Sequence, residues 1–448
     1  MSACLNFLYS SISSINSAFP RDGVVQAPSV VPSHKPLGKL PVRMDEKGTH
    51  FLSGKRIIVA GAGIAGLSFV RAMEQNWPTG MAPPRITVYE RDARHLPGNR
   101  GNYSLGLRSD SHSGGLQALQ KLGLIDEIYN ARIPGSTGAM EIRDANWDTI
   151  IKVKKESTPP DGLPIDHMRI TRNNLRECLV QSISDRVDFN WGTSCVTAAT
   201  LKDGSAEVAL DDGSISVCDL LVIADGASSK LRRCLRPDDD LNYAGAVIIG
   251  GNATFPDGLP QKLREASGPV IGGNGRALVC FQLDDKSMVW FLTRRSTEPR
   301  QPMKGEEAMA IRDEILAEVL SEGDVFVEPF NSIVRATDPS SWRIFNAMDK
   351  QPKPYDGGPY IFLGDSSHAV SPFAGNGANL ALMDGLAAVD LCRACSVGSG
   401  MEQFERASFP RAKKSIGISH MVVRLAHATG LLYWLATMFL RLLNMFSR

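Results

Sequence analysis

The chain has few of the features that mark a specialised class. Its eight cysteines are scattered, which excludes a disulfide-stapled scaffold and leaves reduced thiols in an intracellular compartment as the expectation. Cys392 and Cys395 form a C-x-x-C, but inside an expected helix and with neither a second such pair nor a His pair nearby, so a metal site is not expected. Charge is balanced at 49 Lys+Arg against 48 Asp+Glu, for a net charge of +1 and a pI of 7.6, and nothing global favours nucleic acid. No apolar run reaches the roughly 20 residues that span a bilayer as a helix. No Ser/His/Asp set, metal-ligand cluster or internal repeat stands out. What remains is an ordinary globular composition, 43% hydrophobic and 22% charged over 448 residues, enough to bury a large core shared between two domains and tails.

One local pattern stands out against this background. In KRIIVAGAGIAGLSFVRAMEQ (55–75), Ile57, Ile58, Val59 and Ala60 read as a buried strand, and Gly61, Gly63 and Gly66 as a tight turn into a helix starting near Ile64. Such a turn brings backbone N–H groups and a helix N-terminus up to a pyrophosphate with no side chain between. A second strand, RITVYERD (85–92), carries Glu90, placed to accept a hydrogen bond from an adenosine ribose hydroxyl.

Two further strand-and-loop segments follow. DLLVIADGASSKLRR (219–233) reads as a strand ending at Asp225-Gly226, then Ser229 and Arg232. PYIFLGDSSHAVSPFAGNGANLALMDG (359–385) reads as a strand ending at Gly364-Asp365, a Pro/Gly loop, and a helix from about Ala378. Asp365 at a strand's C-terminal end lies where open α/β sheets bind ligands, although its position also suits a helix N-cap, as do Ser366 and Ser367. Gly375, Gly377 and Ala378 sit where a planar ring must approach backbone, and the N–H groups of the next helix can stabilise negative charge on a reduced ring. Arg172, ahead of a helix with apolar Leu175, Leu179 and Ile183, can present a planar donor fork to phosphate, or be a solvated first-turn residue.

The three fingerprints in this order resemble the single-component FAD-dependent monooxygenases of the aromatic-hydroxylase group, over roughly residues 55–405. The segment ITRNNLRECLVQSI (170–183) is similar to the one carrying the FAD-contacting Arg of tetracycline-degrading monooxygenases. The resemblance implies a flavin ribityl contact for Asp365, an FAD contact for Arg172, and a role with FAD and pyridine nucleotide for Asp225, Gly226 and Arg232. Phe373 matches an aromatic beside the flavin, and Arg276 lies roughly where those relatives place a substrate-facing Arg. His368 is of the right type for a general base, and sits where family members usually pack a side chain beside the motif. The chain departs from the tetracycline-degrading pattern in two places. Gly106, in a longer loop (98–124), stands where they carry an acidic flavin contact and retains only a backbone one, and a Gln that binds tetracycline falls near Gly250. The implied activity is an NADPH- or NADH-dependent, O2-consuming hydroxylation or epoxidation of a small organic scaffold, in specialised metabolism of fungal type. A reductase or dehydrogenase of the same fold is the alternative.

The expected architecture is α/β (α+β overall). A Rossmann-like FAD-binding domain is discontinuous over 52–130, 165–235 and 355–400, and a substrate domain spans 236–354, with antiparallel strands at 244–255, 268–283 and 286–295. Residues 1–50, rich in Ser, Pro and isolated apolars, read as a disordered leader without the basic n-region of a secretory signal. Residues 401–448 read as a basic, apolar helical segment. No Asp or Glu follows Glu405, and ATGLLYWLATMFL (428–440) carries no charge. Basic residues flanking an aromatic-rich helix too short to span fit peripheral attachment to a membrane, a core-packing helix that closes the fold, or an oligomer contact.

Overall fold

The computed structural model describes residues 49–95, 103–110, 114–134, 140–153, 159, 162–264 and 268–446. The expected leader up to residue 48, residues 98–102 and 111–113 of the long loop, and Arg448 lie outside the described residues.

Runs of buried aliphatics organise the first layer. Residues Ile57–Ala60 and Leu220–Ile223 are buried throughout, as expected of strands covered on both faces. They form the centre of a five-stranded parallel sheet, ordered Tyr360–Phe362, Leu220–Ile223, Arg56–Ala60, Arg85–Glu90, Asp188–Trp191. Parallel pairing brings the loops after Ala60, Glu90, Ile223 and Phe362 to one edge. The helix Ile64–Asn76 buries Leu67, Phe69, Val70 and Met73 on one face of this sheet. A three-stranded antiparallel sheet, Cys195–Thr200, Ala206–Leu210 and Ile215–Cys218, packs Ala198 and Val208 against Ile58 and Ile223 on the other.

The second layer is an eight-stranded, mostly antiparallel sheet. Its order is Met303–Lys304, Arg343–Asp349, Asn242–Thr254, Ser287–Arg295, Arg276–Gln282, Gly268–Ile271, Met140–Asp144, Thr149–Val153. The stretch expected as one strand at 268–283 is two, because Gly273 and Gly275 turn the chain at φ +75° and +85°, a backbone region open mainly to glycine. The two faces of this sheet differ. One buries Val247, Ile249, Leu278, Trp290 and Leu292 with Ala308, Ile315, Val319 and Phe330 of the helices that follow. The other carries Ala246, Ile248, Phe291, Phe345 and Ala347 toward Phe373 and Val423.

The chain ends in two helices. The first, Val397–Ala426, starts from a capping box made by Ser396 and Ser399. The second, Gly430–Phe446, is tied by Arg441 to Asp144 at 2.6 Å and by Asn444, which accepts from the Lys152 amide at 3.1 Å. Its outer side exposes Leu431, Trp434, Leu435, Met438, Leu442 and Met445. Among the described residues no helix is long and apolar enough to cross a membrane.

Candidate functional site

The glycines at the edge of the parallel sheet are set by crowding. Gly61 adopts φ +109°, and a Cβ there would lie 2.5 Å from the Ala224 carbonyl oxygen. At Gly66 a Cβ would meet the Gly61 carbonyl oxygen at 2.1 Å, so glycine lets the helix approach its own turn. Gly63 differs: its added Cβ would find only the Ala224 oxygen, at 3.9 Å, and it precedes the helix without a side-chain cap. The first-turn N–H groups are therefore available to a ligand. Glu90 fixes the turn, accepting from the Ala62 amide at 2.8 Å and the Asp92 amide at 2.9 Å. Each carboxylate oxygen keeps acceptor capacity for a ribose hydroxyl.

The loop after Leu220–Ile223 carries Asp225, whose Oδ1 is buried without a hydrogen-bond partner and whose carboxyl is pushed up by burial, against the Ser229 hydroxyl that holds it down. Arg232 faces inward. It is 1% exposed, and its guanidinium donates to the carbonyls of Asp239, Ser366 and Ala227, so for this side chain the role with FAD and pyridine nucleotide that the resemblance implies gives way to a tie between the two loops.

Asp365 begins the short helix Asp365–His368, directly after Gly364 at φ +60°. Burial pushes its carboxyl above the usual range, with His368 and Arg232 opposing and Asp384 reinforcing the rise. Behind it lies a charged latch. His368 Nε2 meets Asp384 Oδ2 at 2.6 Å, and the same Asp384 accepts from the Gly364 amide at 2.9 Å and the Ser408 hydroxyl at 2.8 Å. Burial alone would depress His368, but Asp384 raises it; burial would likewise raise Asp384, but His368 lowers it. His368 thus faces into the protein and holds the Gly364-Asp365 turn in place.

Between the two large sheets runs a two-stranded ribbon, Ser104–Arg108 with His167–Thr171. Arg172 follows it as the first residue of the helix Arg172–Gln181, its amide donating to the Tyr103 carbonyl at 2.9 Å. The Tyr103 hydroxyl, raised by burial, lies within the influence of Arg172, Asp365 and Arg343. Arg172 and Asp365 therefore both act on this buried hydroxyl, and Tyr103 was not recognisable as their neighbour from sequence. The Gly106 carbonyl accepts from Asn379 at 2.8 Å, which joins the ribbon to the helix Gly377–Gly385. Gly375 is exposed at φ +61°, and a Cβ on Gly377 would meet nothing within 4 Å. Ala378 follows in the first turn of that helix.

The antiparallel sheet supplies the opposite wall. Phe291 and Phe345 stand edge to face at 5.4 Å, Arg343 lies 5.3 Å over Phe291, and Phe373 packs edge to face on His427 at 5.6 Å. Arg276 is placed otherwise than a substrate-facing residue requires: its guanidinium shares Glu322 with Arg294, each at 3.2 Å. Among the described residues no group of His, Cys, Asp and Glu could hold a metal.

These residues fit FAD. The open backbone at Gly63 and Gly377, the capless helix N-terminus and the orphaned Asp225 oxygen are the features a dinucleotide cradle requires.

No family model matches the chain. It is 36% identical over 394 residues to the monooxygenase cfoF of Aspergillus candidus, covering 85% of this chain and 94% of that protein. It is 26% identical over 388 residues to the chloroplastic zeaxanthin epoxidase of Solanum lycopersicum, covering 83% of this chain but only 54%, about half, of the epoxidase. Among solved structures, Klebsiella pneumoniae HpxO complexed with FAD and uric acid superposes with a TM-score of 0.69 at 20% identity, covering 88% of this chain and 94% of that one.

Proposed function

Since the chain belongs to the FAD-dependent monooxygenases, we propose that it takes electrons from NADPH or NADH and transfers one atom of O2 to a small conjugated scaffold, as a hydroxylation or an epoxidation. The stoichiometry is substrate, O2, NAD(P)H and a proton in, and oxygenated product, NAD(P)+ and water out. The observation that carries this reading is the convergence of the turns at Gly61–Gly66, Asp225 and Asp365 on one sheet edge, opposite an aromatic wall.

FAD, when bound, supplies the two-electron chemistry and the activation of O2. In this reading Gly61, Gly63 and Gly66 let backbone N–H groups reach the pyrophosphate, and Glu90 accepts from the adenosine ribose. Arg172 donates to a phosphate and Asp365 accepts from the ribityl hydroxyls, with Asp225 beside them. The backbone at Gly106, Gly375, Gly377 and Ala378 borders the ring. Phe291, Phe345 and Phe373 exclude water from the reacting face and hold the scaffold flat against it. Arg276 is left outside the contact set.

The residues fall into an FAD domain (52–130, 165–235, 355–400) and a substrate domain (236–354), to which the strands Met140–Asp144 and Thr149–Val153 add their edge. A fungal relative at 36% identity supports a place in specialised metabolism. We also place the helix Gly430–Phe446 on an anionic membrane surface, supported by its exposed apolar side and by the lack of acidic residues after Glu405. The full chain should float with anionic liposomes at low salt and stay at the bottom if that side is covered otherwise.

The test of the catalytic reading is turnover of a phenol and alkene panel with NADPH or NADH under 18O2. One labelled oxygen per product molecule is expected. Unlabelled product formed without O2 uptake would instead indicate a dehydrogenase or reductase.

A further inference from the structure

The chain passes between the two large sheets at two places that lie side by side. After the helix Lys230–Leu235 it leaves the FAD domain through residues 236–241 and enters the strand Asn242–Thr254 of the antiparallel sheet. It returns from the strand Arg343–Asp349 of that sheet to the strand Tyr360–Phe362, the edge of the parallel one. The register pairs Asn242 with Asp349, so the outgoing and returning segments are neighbours where they cross. Asp239 stands just before the first of these strands, and Lys350 directly after the second.

These two residues meet across the joint. Lys350 Nζ lies 2.8 Å from Asp239 Oδ2, with 2% and 5% of their side chains exposed. The ammonium also donates to the Ser367 carbonyl at 2.7 Å and the Gln351 carbonyl at 3.0 Å, so its three protons have three acceptors. Lys353, half exposed, approaches Asp239 Oδ1 at 3.4 Å. Burying such a pair costs the desolvation of both charges, and an apolar pair of similar volume is often as stable or more so. Stability alone does not call for these charges here; direction does.

Lys350 holds the turn that begins with Asp365. The adjacent carbonyls of Ser366 and Ser367 are claimed from opposite sides, Ser366 by Arg232 of the FAD domain at 3.2 Å and Ser367 by Lys350 at the end of the substrate strand. The turn has further ties within the FAD domain, from the Ser366 hydroxyl to the Ile223 carbonyl at 2.6 Å and from the Gly364 amide to Asp384. The strand end has fewer ties to the turn. The Lys350 amide donates to the Ala369 carbonyl at 2.9 Å, while Asp349 is held at 2.5 Å by His420 of the long helix, which is not part of the turn. Without the ammonium, the turn would stay in place and the strand end would loosen. That strand carries Arg343 and Phe345 of the aromatic wall.

We propose that Lys350, paired with Asp239, is a positioning residue that pins the antiparallel sheet to the Asp365 turn and so sets the depth of the cleft between the aromatic wall and the flavin-binding backbone. The inference rests on the monooxygenase reading and goes beyond it, since the pair acts through the strand and the turn. Its loss wastes reducing equivalents and spares flavin binding. A loosened wall leaves the scaffold out of reach of oxygen transfer, and NAD(P)H, a proton and O2 then give NAD(P)+ and H2O2.

The test compares the FAD-loaded full chain with Lys350→Met and with the double variant Asp239→Leu/Lys350→Met, which leaves no buried charge of the pair unpaired. Hydrogen exchange at the amide of position 350 should be at least about tenfold faster in both variants, with residues 56–72 at the wild-type rate and FAD content unchanged. With a phenol or alkene that the wild type oxygenates, product per NAD(P)H should fall at least about threefold while H2O2 rises to match. Wild-type exchange or wild-type coupling in Lys350→Met overturns the proposal. So does the return of both in the double variant, which would show that only an unpaired Asp239 mattered. Faster exchange throughout the chain, or loss of FAD from the double variant, overturns it too, by making the pair a general support. If the single variant does not fold, the double variant decides. A wild type that yields H2O2 and no oxygenated product contradicts the monooxygenase reading instead, and the exchange measurement then decides on the pin by itself.

Discussion

On the parallel-sheet side of the cleft, the loops after Ala60, Ile223 and Leu363 present backbone, shaped by Gly61, Gly66, Gly226 and Gly364. On the antiparallel side, Phe281 and Phe291 from a hairpin, and Arg343 and Phe345 from a strand further along the chain, present side chains. A wall of backbone tolerates very few residues at a few contiguous positions. A wall of side chains only requires that alternate residues of several strands face one way, and those positions can be filled by many residue types. The first kind of wall is therefore strict in the residues it accepts, and the second can change what it fits by exchanging side chains.

Substitutions that intrude on the backbone wall should have the largest effect. Gly66→Val places its Cβ 2.1 Å from the Gly61 carbonyl oxygen, a backbone atom that cannot swing aside. A loss of roughly 3 kcal/mol or more is expected, read as a chain that does not accumulate folded with flavin. Phe345→Leu, on the other wall, should leave folding and flavin content near wild type. If both variants hold flavin equally well, the contrast between the walls fails.

The buried latch comes next. Asp384→Asn removes the charge that holds His368, and a stability loss of about 3–5 kcal/mol is expected from breaking a buried pair. The effect should depend on pH. His368 is raised from its ordinary 6.5, so its contribution is complete below 6.5 and is lost as pH climbs through the raised value. Asp384 is lowered from 3.8, so its contribution is complete above 3.8 and is lost as pH falls through the lowered value. Thermal unfolding should therefore separate wild type from variant most between about pH 5 and pH 6.5. A gap that instead widens above pH 8 would mean that the pair is not charged in the folded protein.

The smallest effect is expected at Arg276. It shares Glu322 with Arg294 and is partly exposed, so Arg276→Gln should cost about 0–1 kcal/mol and leave flavin content and the binding of substrate analogues unchanged. A large loss of analogue binding would return Arg276 to the substrate wall.

How legible each wall is in the sequence follows from the same contrast. The strand, turn and helix from Arg56 to Asn76, with Glu90 beside them, could be read directly, because their conformations demand particular residues in a row. The strands around 244–255 and 286–295 were readable from composition, but not which of their faces meets the cleft. Pairing of Gly268–Ile271 with Met140–Asp144, across more than a hundred residues, left no local trace. Tyr103 was hidden for a related reason: it acquires meaning only when Arg172, Asp365 and Arg343 arrive around it from elsewhere in the chain. Arg232 was misread because a motif gives a residue's position and not its direction, and here three carbonyls claim the guanidinium.

The central claim is that the cleft between these walls holds FAD through its backbone turns and Asp365. The most direct measurement is flavin titration of the apoprotein, wild type beside Asp365→Ala. The wild type should take up one FAD per chain, released by denaturation without a covalent link, and the variant should bind at least about tenfold more weakly for want of a charge-assisted hydrogen bond. Equal affinity of the two proteins would contradict the placement of the cofactor.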